Sequence, residues 1–196
     1  MKQVHINYER CIGCKHCEIA CIIEHSSSKD ILNCINEWPI PKRFINVEVN
    51  EEGLTFPVNC RHCEFPLCMN VCPMSAIKKD EMGFVQIDPL FCIGCGMCGL
   101  ACPFGVVSYN VIETPLKKRI AVKCNGCKER ISSERAPACV EACKTGALFY
   151  GSMDEYEGQK RKELAFTISE ETVPRIPEEV AMWRDYLKKV NNFREG

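Results

Sequence analysis

Sixteen of the 17 cysteines in this 196-residue chain fall into four runs, and their spacing limits the possible folds more than any other feature. The plainest run is Cys92-Ile93-Gly94-Cys95-Gly96-Met97-Cys98-Gly99-Leu100-Ala101-Cys102-Pro103, a C-x2-C-x2-C-x3-C-P pattern. Three thiolates spaced in this way can wrap three irons of a [4Fe–4S] cube. The small residues between them let the backbone turn tightly and aim amides at the sulfurs. The fourth cysteine points away and, where two such runs occur together, ligates the other cube. One run therefore implies a second, and the chain supplies three more. They are Cys11-x2-Cys14-x2-Cys17-x3-Cys21, Cys60-x2-Cys63-x4-Cys68-x3-Cys72-Pro73, and Cys124-x2-Cys127-x11-Cys139-x3-Cys143.

Two other uses of cysteine fit less well. Zinc ribbons use paired C-x2-C knuckles rather than a triple run followed by C-x3. Disulfides need an oxidising compartment, and the sequence argues against one. Met1-Lys2-Gln3-Val4-His5-Ile6 is too short and polar for a signal peptide, and no twin-arginine pair occurs. No apolar run reaches the roughly 18 residues of a membrane span. The expectation is a cytoplasmic chain whose clustered cysteines bind metal, without direct membrane insertion. Composition agrees. The 46% apolar content counts the cysteines, so clusters must stand in for part of the core. The formal charge is −1, and cluster thiolates and iron together take the loaded chain to about −9. No basic excess remains for nucleic acid.

Spacing also organises the chain. Residues 2–7 read as a strand entering motif one, and Cys17 to Glu24 as a short helix. Arg43–Val49 and Leu54–Val58 read as strands around a turn at Asn50-Glu51-Glu52-Gly53. Ala76-Ile77 and Gly83–Asp88 supply the strand–turn–strand that bacterial ferredoxins place between two cluster loops. The first cysteines of motifs two and three are 32 residues apart, about the period of a ferredoxin half-repeat, so these motifs should exchange fourth ligands. Motifs one and four are left to close over them. The expected sets are Cys11, Cys14, Cys17 and Cys143; Cys124, Cys127, Cys139 and Cys21; Cys60, Cys63, Cys68 and Cys102; and Cys92, Cys95, Cys98 and Cys72. The fold class is α+β, two nested bacterial-type two-cluster ferredoxin folds with a helical tail. An outer split domain takes 1–29 plus 112–153, and a connection with a hairpin strand takes 30–52. The inner ferredoxin is 53–111, and the tail is 154–196.

Several residues stand outside the motifs. Cys34, the seventeenth cysteine, reads as a small buried hydrophobe. His16 and His62 lie inside cluster loops that already have their cysteines, so each should be solvent-exposed or hydrogen-bonded behind a ligand. Residues 117–135 hold seven Lys/Arg against two Glu; charge balance and partner docking both remain open for them. In the tail, Val180, Trp183, Leu187 and Val190 recur at helical spacing after Pro177-Glu178-Glu179, predicting an amphipathic helix. No nucleophile, carboxylate pair or phosphate-binding glycine loop stands out.

The four motifs in this order resemble the four-cluster electron-transfer subunits typified by the dimethyl sulfoxide reductase iron–sulfur subunit, over about residues 2–150. In that family motif one pairs with four and two with three. Pro137-Ala138-Cys139-Val140-Glu141-Ala142-Cys143-Lys144-Thr145-Gly146-Ala147-Leu148 and Lys160-Arg161-Lys162-Glu163-Leu164 look like the short members. These are the iron–sulfur subunit associated with carbon monoxide dehydrogenase and the small subunits of formate hydrogenlyase. Lys144 departs from many relatives, which have proline there. The resemblance implies a non-catalytic subunit with four [4Fe–4S] clusters. It would relay electrons from a catalytic oxidoreductase, carbon monoxide dehydrogenase first, to a hydrogenase or flavoprotein reductase. The alternatives are a subunit of a formate dehydrogenase, formate hydrogenlyase or other molybdopterin oxidoreductase, and, from another class, an iron- or oxygen-sensing module.

Overall fold

A computed structural model describes residues 2–111 and 118–171. Its elements are short. In order they are β1 (Gln3–Ile6), α1 (His16–Glu24), β2 (Ile45–Val49), β3 (Thr55–Asn59), α2 (Leu67–Asn70), β4 (Ile77–Lys79), β5 (Val85–Ile87), α3 (Met97–Ala101), β6 (Ser108–Val111), β7 (Arg119–Val122), α4 (Lys128–Ser132), α5 (Ala138–Glu141), β8 (Leu148–Gly151) and α6 (Met153–Glu171). The chain divides into two compact units, Met1–Met153 and Asp154–Gly196.

The described strands of the first unit form four two-stranded antiparallel ladders. β1 pairs with β8, Gln3 opposite Gly151 and Ile6 opposite Leu148. This ladder brings the chain entering motif one beside the chain leaving motif four. β2 pairs with β3 across the Asn50–Gly53 turn, and Gly53 there has φ +80°. In β2 the buried residues alternate, Ile45 and Val47 inward, as a strand with one covered face requires. Pro57 of β3 stands opposite Val47. The Val47 N–H turns away from β3 and donates to Glu18 Oε1 at 2.6 Å. The pair is therefore a non-bonded one, and the proline removes no ladder bond.

β4 pairs with β5 between motifs two and three, and β6 pairs with β7. Hairpin β2–β3 spans the expected boundary at 53. Hairpin β6–β7 spans the one at 111, so the strands that flank the inner segment pair with residues outside it.

Two buried clusters hold the unit, and cysteines are structural members of both. One gathers Ala76, Ile77, Val85, Ile120 and Ala121 around Cys92 and Cys98. The other gathers Ile45, Val47 and Leu148 around Cys17, Cys21 and Cys139. α1 packs on α5 and on β2.

The second unit is described as far as Glu171, as α6. Asp154 and Glu155 occupy its first turn, where carboxylates suit the helix dipole. Arg161 pairs with Glu157, and the Gln159 amide donates to Glu163 at 2.9 Å. The stretch carries no apolar stripe at helical spacing. The signal it does carry is the acidic start and the polar pairs four residues apart. The expected helix around Val180, Trp183, Leu187 and Val190 lies outside the described residues.

Candidate iron–sulfur centres

Each cluster loop begins with C-x2-C, and in all four the residue before the second cysteine has left-handed backbone. The residues are Gly13 (φ +69°), His62 (φ +45°), Gly94 (φ +71°) and Gly126 (φ +74°). Glycine suits this region because a Cβ there crowds the following carbonyl. Packing adds a second demand. A Cβ on Gly94 would stand 2.2 Å from the Arg119 carbonyl oxygen, and one on Gly126 would strike the Phe84 ring at 2.5 Å. Gly94→Ala should therefore open the loop of motif three and cost the chain about four irons. Iron analysis of the variant checks this, and full iron content would refute it.

Three of the four expected cysteine sets each line a single cavity. Cys72, Cys92, Cys95 and Cys98 surround one, floored by Ala76 and Ala121. Cys60, Cys63, Cys68 and Cys102 surround a second, and Cys21, Cys124, Cys127 and Cys139 a third, which Cys60 also borders. Of the remaining set, Cys11, Cys17 and Cys143 pack in one cluster, and Cys143 and Cys11 both act on the Cys17 thiol. Cys14, on the same loop, is exposed. Among the described residues no three Cys, His, Asp or Glu side chains converge on a point as ligands of one metal ion would. A cube asks for another geometry, one thiolate at each of four irons around its own volume, and thiols distributed around cavities fit that.

Donors already point at several of these sulfurs. The Phe44 N–H donates to Cys21 Sγ at 3.2 Å, Ala76 N–H to Cys72 at 3.3 Å, Ala121 N–H to Cys92 at 3.4 Å and Gly126 N–H to Cys124 at 3.4 Å. Such bonds stabilise sulfur that carries negative charge. Burial acts the other way. It is the largest influence on the Cys17 thiol, pushed up to about 11, and on Cys21, pushed up to about 12. It also raises Cys68, Cys98, Cys127 and Cys139. A thiolate at these positions needs a cation beside it, which iron supplies.

Part of the basic run after β6 turns inward: Lys123 and Arg130 are buried, while Arg119, Lys128 and Arg135 are exposed. Lys123, 7% exposed, donates to Cys60 Sγ at 3.4 Å, to the Cys124 carbonyl at 3.0 Å and to the Val85 carbonyl. Arg130, also buried, binds Glu24 at 2.8 Å, Glu141, and the Ala136 carbonyl. Burial tends to raise the Glu24 pKa, but its hydrogen bonds to Arg130 and Lys29 outweigh that and leave it lowered. Lys128 pairs with Asp80 at 3.1 Å. Internal charge balance therefore accounts for these three.

His16 is exposed. His62 is buried, accepting the Val85 N–H on Nδ1 at 3.0 Å, and burial followed by the charge of Lys123 holds its pKa down at about 3. Cys34 is buried in a 3-10 turn and donates to the Ile31 carbonyl.

An α+β unit with sixteen cysteines grouped in this way defines a protein that carries iron–sulfur clusters. The family model described as a 4Fe-4S dicluster domain matches residues 52–153. The B subunit of the anaerobic dimethyl sulfoxide reductase of Escherichia coli K12 is 38% identical over 166 residues, 82% of this chain and 77% of that one. The thiosulfate reductase electron transfer subunit of Salmonella typhi is 37% identical over 153 residues, 78% and 76% of the two chains. The electron transport protein HydN of Escherichia coli K12 is 34% identical over 169 residues, 80% and 93%.

The chain belongs to this family of [4Fe–4S] electron-transfer subunits. Its cofactors are four [4Fe–4S] clusters, and it is an electron-transfer subunit rather than a catalytic one. No helix among the described residues is long and apolar enough to cross a membrane.

Proposed function

We propose that the chain passes single electrons through four cubes between a catalytic oxidoreductase subunit and a second redox protein. The cubes are held by Cys11, Cys14, Cys17 and Cys143; by Cys21, Cys124, Cys127 and Cys139; by Cys60, Cys63, Cys68 and Cys102; and by Cys72, Cys92, Cys95 and Cys98. The observation that carries this is the crossing of cysteines between runs. Cys102 joins the cavity of motif two, Cys72 that of motif three, and Cys21 that of motif four. Each cube supplies a one-electron couple when bound. The chain's own residues fix where each couple sits, aim amides at its sulfurs and keep water from the buried thiolates. The nested inner and outer ferredoxins belong to this proposal, supported by the β1–β8 ladder that closes motif one against motif four. So does a cytoplasmic location, supported by the cysteine usage.

The partner reading shifts from the one that the sequence puts first. The relatives above include subunits of dimethyl sulfoxide and thiosulfate reductases. They favour the alternative, a molybdopterin oxidoreductase, over carbon monoxide dehydrogenase. Two measurements test the whole. Anaerobically purified chain should hold about sixteen irons and about sixteen acid-labile sulfides; zinc without sulfide would end the proposal. Affinity purification at native levels should bring down a molybdenum-containing catalytic subunit. A nickel–iron dehydrogenase in its place would restore the first partner.

A further inference from the structure

His62 is out of place by the logic of the other three loops. They have glycine at this left-handed position, and His62 adopts φ +45° there. A non-glycine residue in this region is strained, so the side chain must contribute something glycine cannot. Its setting says what. The Val85 N–H donates to Nδ1 at 3.0 Å, so Nδ1 is the acceptor and the ring proton sits on Nε2. That Nε2 is buried and meets no acceptor among the described residues. The ring, 4% exposed, lines both the cavity of Cys60, Cys63, Cys68 and Cys102 and the cavity of Cys21, Cys124, Cys127 and Cys139.

Lys123 meets the same boundary from the other side. It belongs to motif four by sequence yet reaches Cys60 of motif two. Its acceptors are the Cys60 sulfur and the carbonyls of Cys124 and Val85; among the described residues no carboxylate is one of them. A buried ammonium needs an anionic partner to offset its lost hydration, and the Cys60 thiolate is the anion in reach. Val85 ties the two side chains together, with its N–H on His62 and its carbonyl on Lys123. Phe84 completes the wall, edge-on to His62 at 5.0 Å and pressed against the glycine of motif four.

We propose that His62 and Lys123 are a paired donor station between the motif-two and motif-four cubes, positioned to raise the potential of the motif-two cube. This rests on the cysteine sets proposed above. Reduction of a cube by one electron adds one negative charge, and a nearby N–H or ammonium favours that form. The Lys123 ammonium acts through Cys60 Sγ. The His62 Nε2–H is the free donor that cluster sulfur would accept. Neither residue reacts; both are positioning residues.

Two variants test this by anaerobic redox titration followed by EPR, with iron counted on the same samples. His62→Gly installs the residue that the other loops use, so it relieves the backbone. It should keep about sixteen irons. Lys123→Met keeps the stem and removes the charge. Each should make reduction of one cube about tenfold less favourable, a fall of about 59 mV for a one-electron couple. The signal that moves should be the one that Cys102→Ser alters. Unchanged potentials with full iron content in His62→Gly would overturn the inference, as would a shift confined to the cube of Cys92, Cys95 and Cys98. If Lys123→Met fails to load iron, His62→Gly alone decides. Fewer than four cubes in the unsubstituted chain would sink the underlying reading instead.

Discussion

Removing the iron anaerobically, with thiols kept reduced, should unfold most of residues 2–153. The case rests on what remains of the core once the clusters are gone. Both buried clusters are built around cysteines of the four runs, Cys92 and Cys98 in one and Cys17, Cys21 and Cys139 in the other. Among the described residues the largest fully buried side chains are Ile45, Val85, Pro57 and Pro137. Among the described residues no strand exceeds five residues, and α1, at nine, is the longest helix before α6. Isolated helices of that length and two-stranded ladders are marginal in water. Structural metals in small domains supply roughly 10–16 kcal/mol of apparent binding energy, comparable with the roughly 5–15 kcal/mol net stability of a whole domain.

The expected result is loss of near-ultraviolet dichroism and of any cooperative melt. Some far-ultraviolet helix signal should survive, because α6 is stabilised by contacts within itself. An iron-free chain that kept a cooperative melt would show that the short ladders and the apolar remainder suffice.

The cysteine pattern is legible in the sequence because cluster chemistry fixes ligand spacing within a loop, whatever surrounds it. The hairpin at Asn50–Gly53 is legible for a similar local reason, a turn glycine between two alternating stretches. The β6–β7 pairing is harder to see. It joins Ser108–Val111 to Arg119–Val122 across a point where the ferredoxin period suggests a boundary, and periodicity carries no information about which neighbour a strand chooses. Burial is the other gap. Lys123 and Arg130 sit in a basic run for which the sequence leaves charge balance and partner docking both open. Their inward turn depends on Cys60 and on Glu24 and Glu141, distant in sequence. The anomaly at His62 is present in the sequence, since aligning the four C-x2-C loops sets it against three glycines. The reading of His62 as exposed or hydrogen-bonded behind a ligand takes no account of that backbone exception.

Substituting Cys143 decides how the four runs divide their ligands. If each run held its own cube, Cys143→Ser would damage the cube of Cys124, Cys127 and Cys139. The structure favours the opposite. β1 and β8 pair from Gln3–Gly151 to Ile6–Leu148, and the Asn7 N–H continues the contact to the Ala147 carbonyl at 2.8 Å. The loop that starts at Cys11 and the chain that ends at Cys143 are thus held side by side. α5, which carries Cys139, packs against α1, which carries Cys17 and Cys21. The thiols that act on Cys139 are Cys124, Cys127, Cys21 and Cys17, while Cys143 acts on Cys17. Serine is a poor substitute for a thiolate on iron, so Cys143→Ser should convert or empty the cube of Cys11, Cys14 and Cys17, with a loss of between about one and about four irons. The EPR signal of the Cys92, Cys95 and Cys98 cube should persist unchanged. Cys21→Ser should do the converse, disturbing the motif-four cube and sparing that of motif one. If each serine instead damages the cube of its own run, the runs are self-contained and the nested fold is wrong. If the effects cross as proposed, the ends of the first unit close one cluster pair around another.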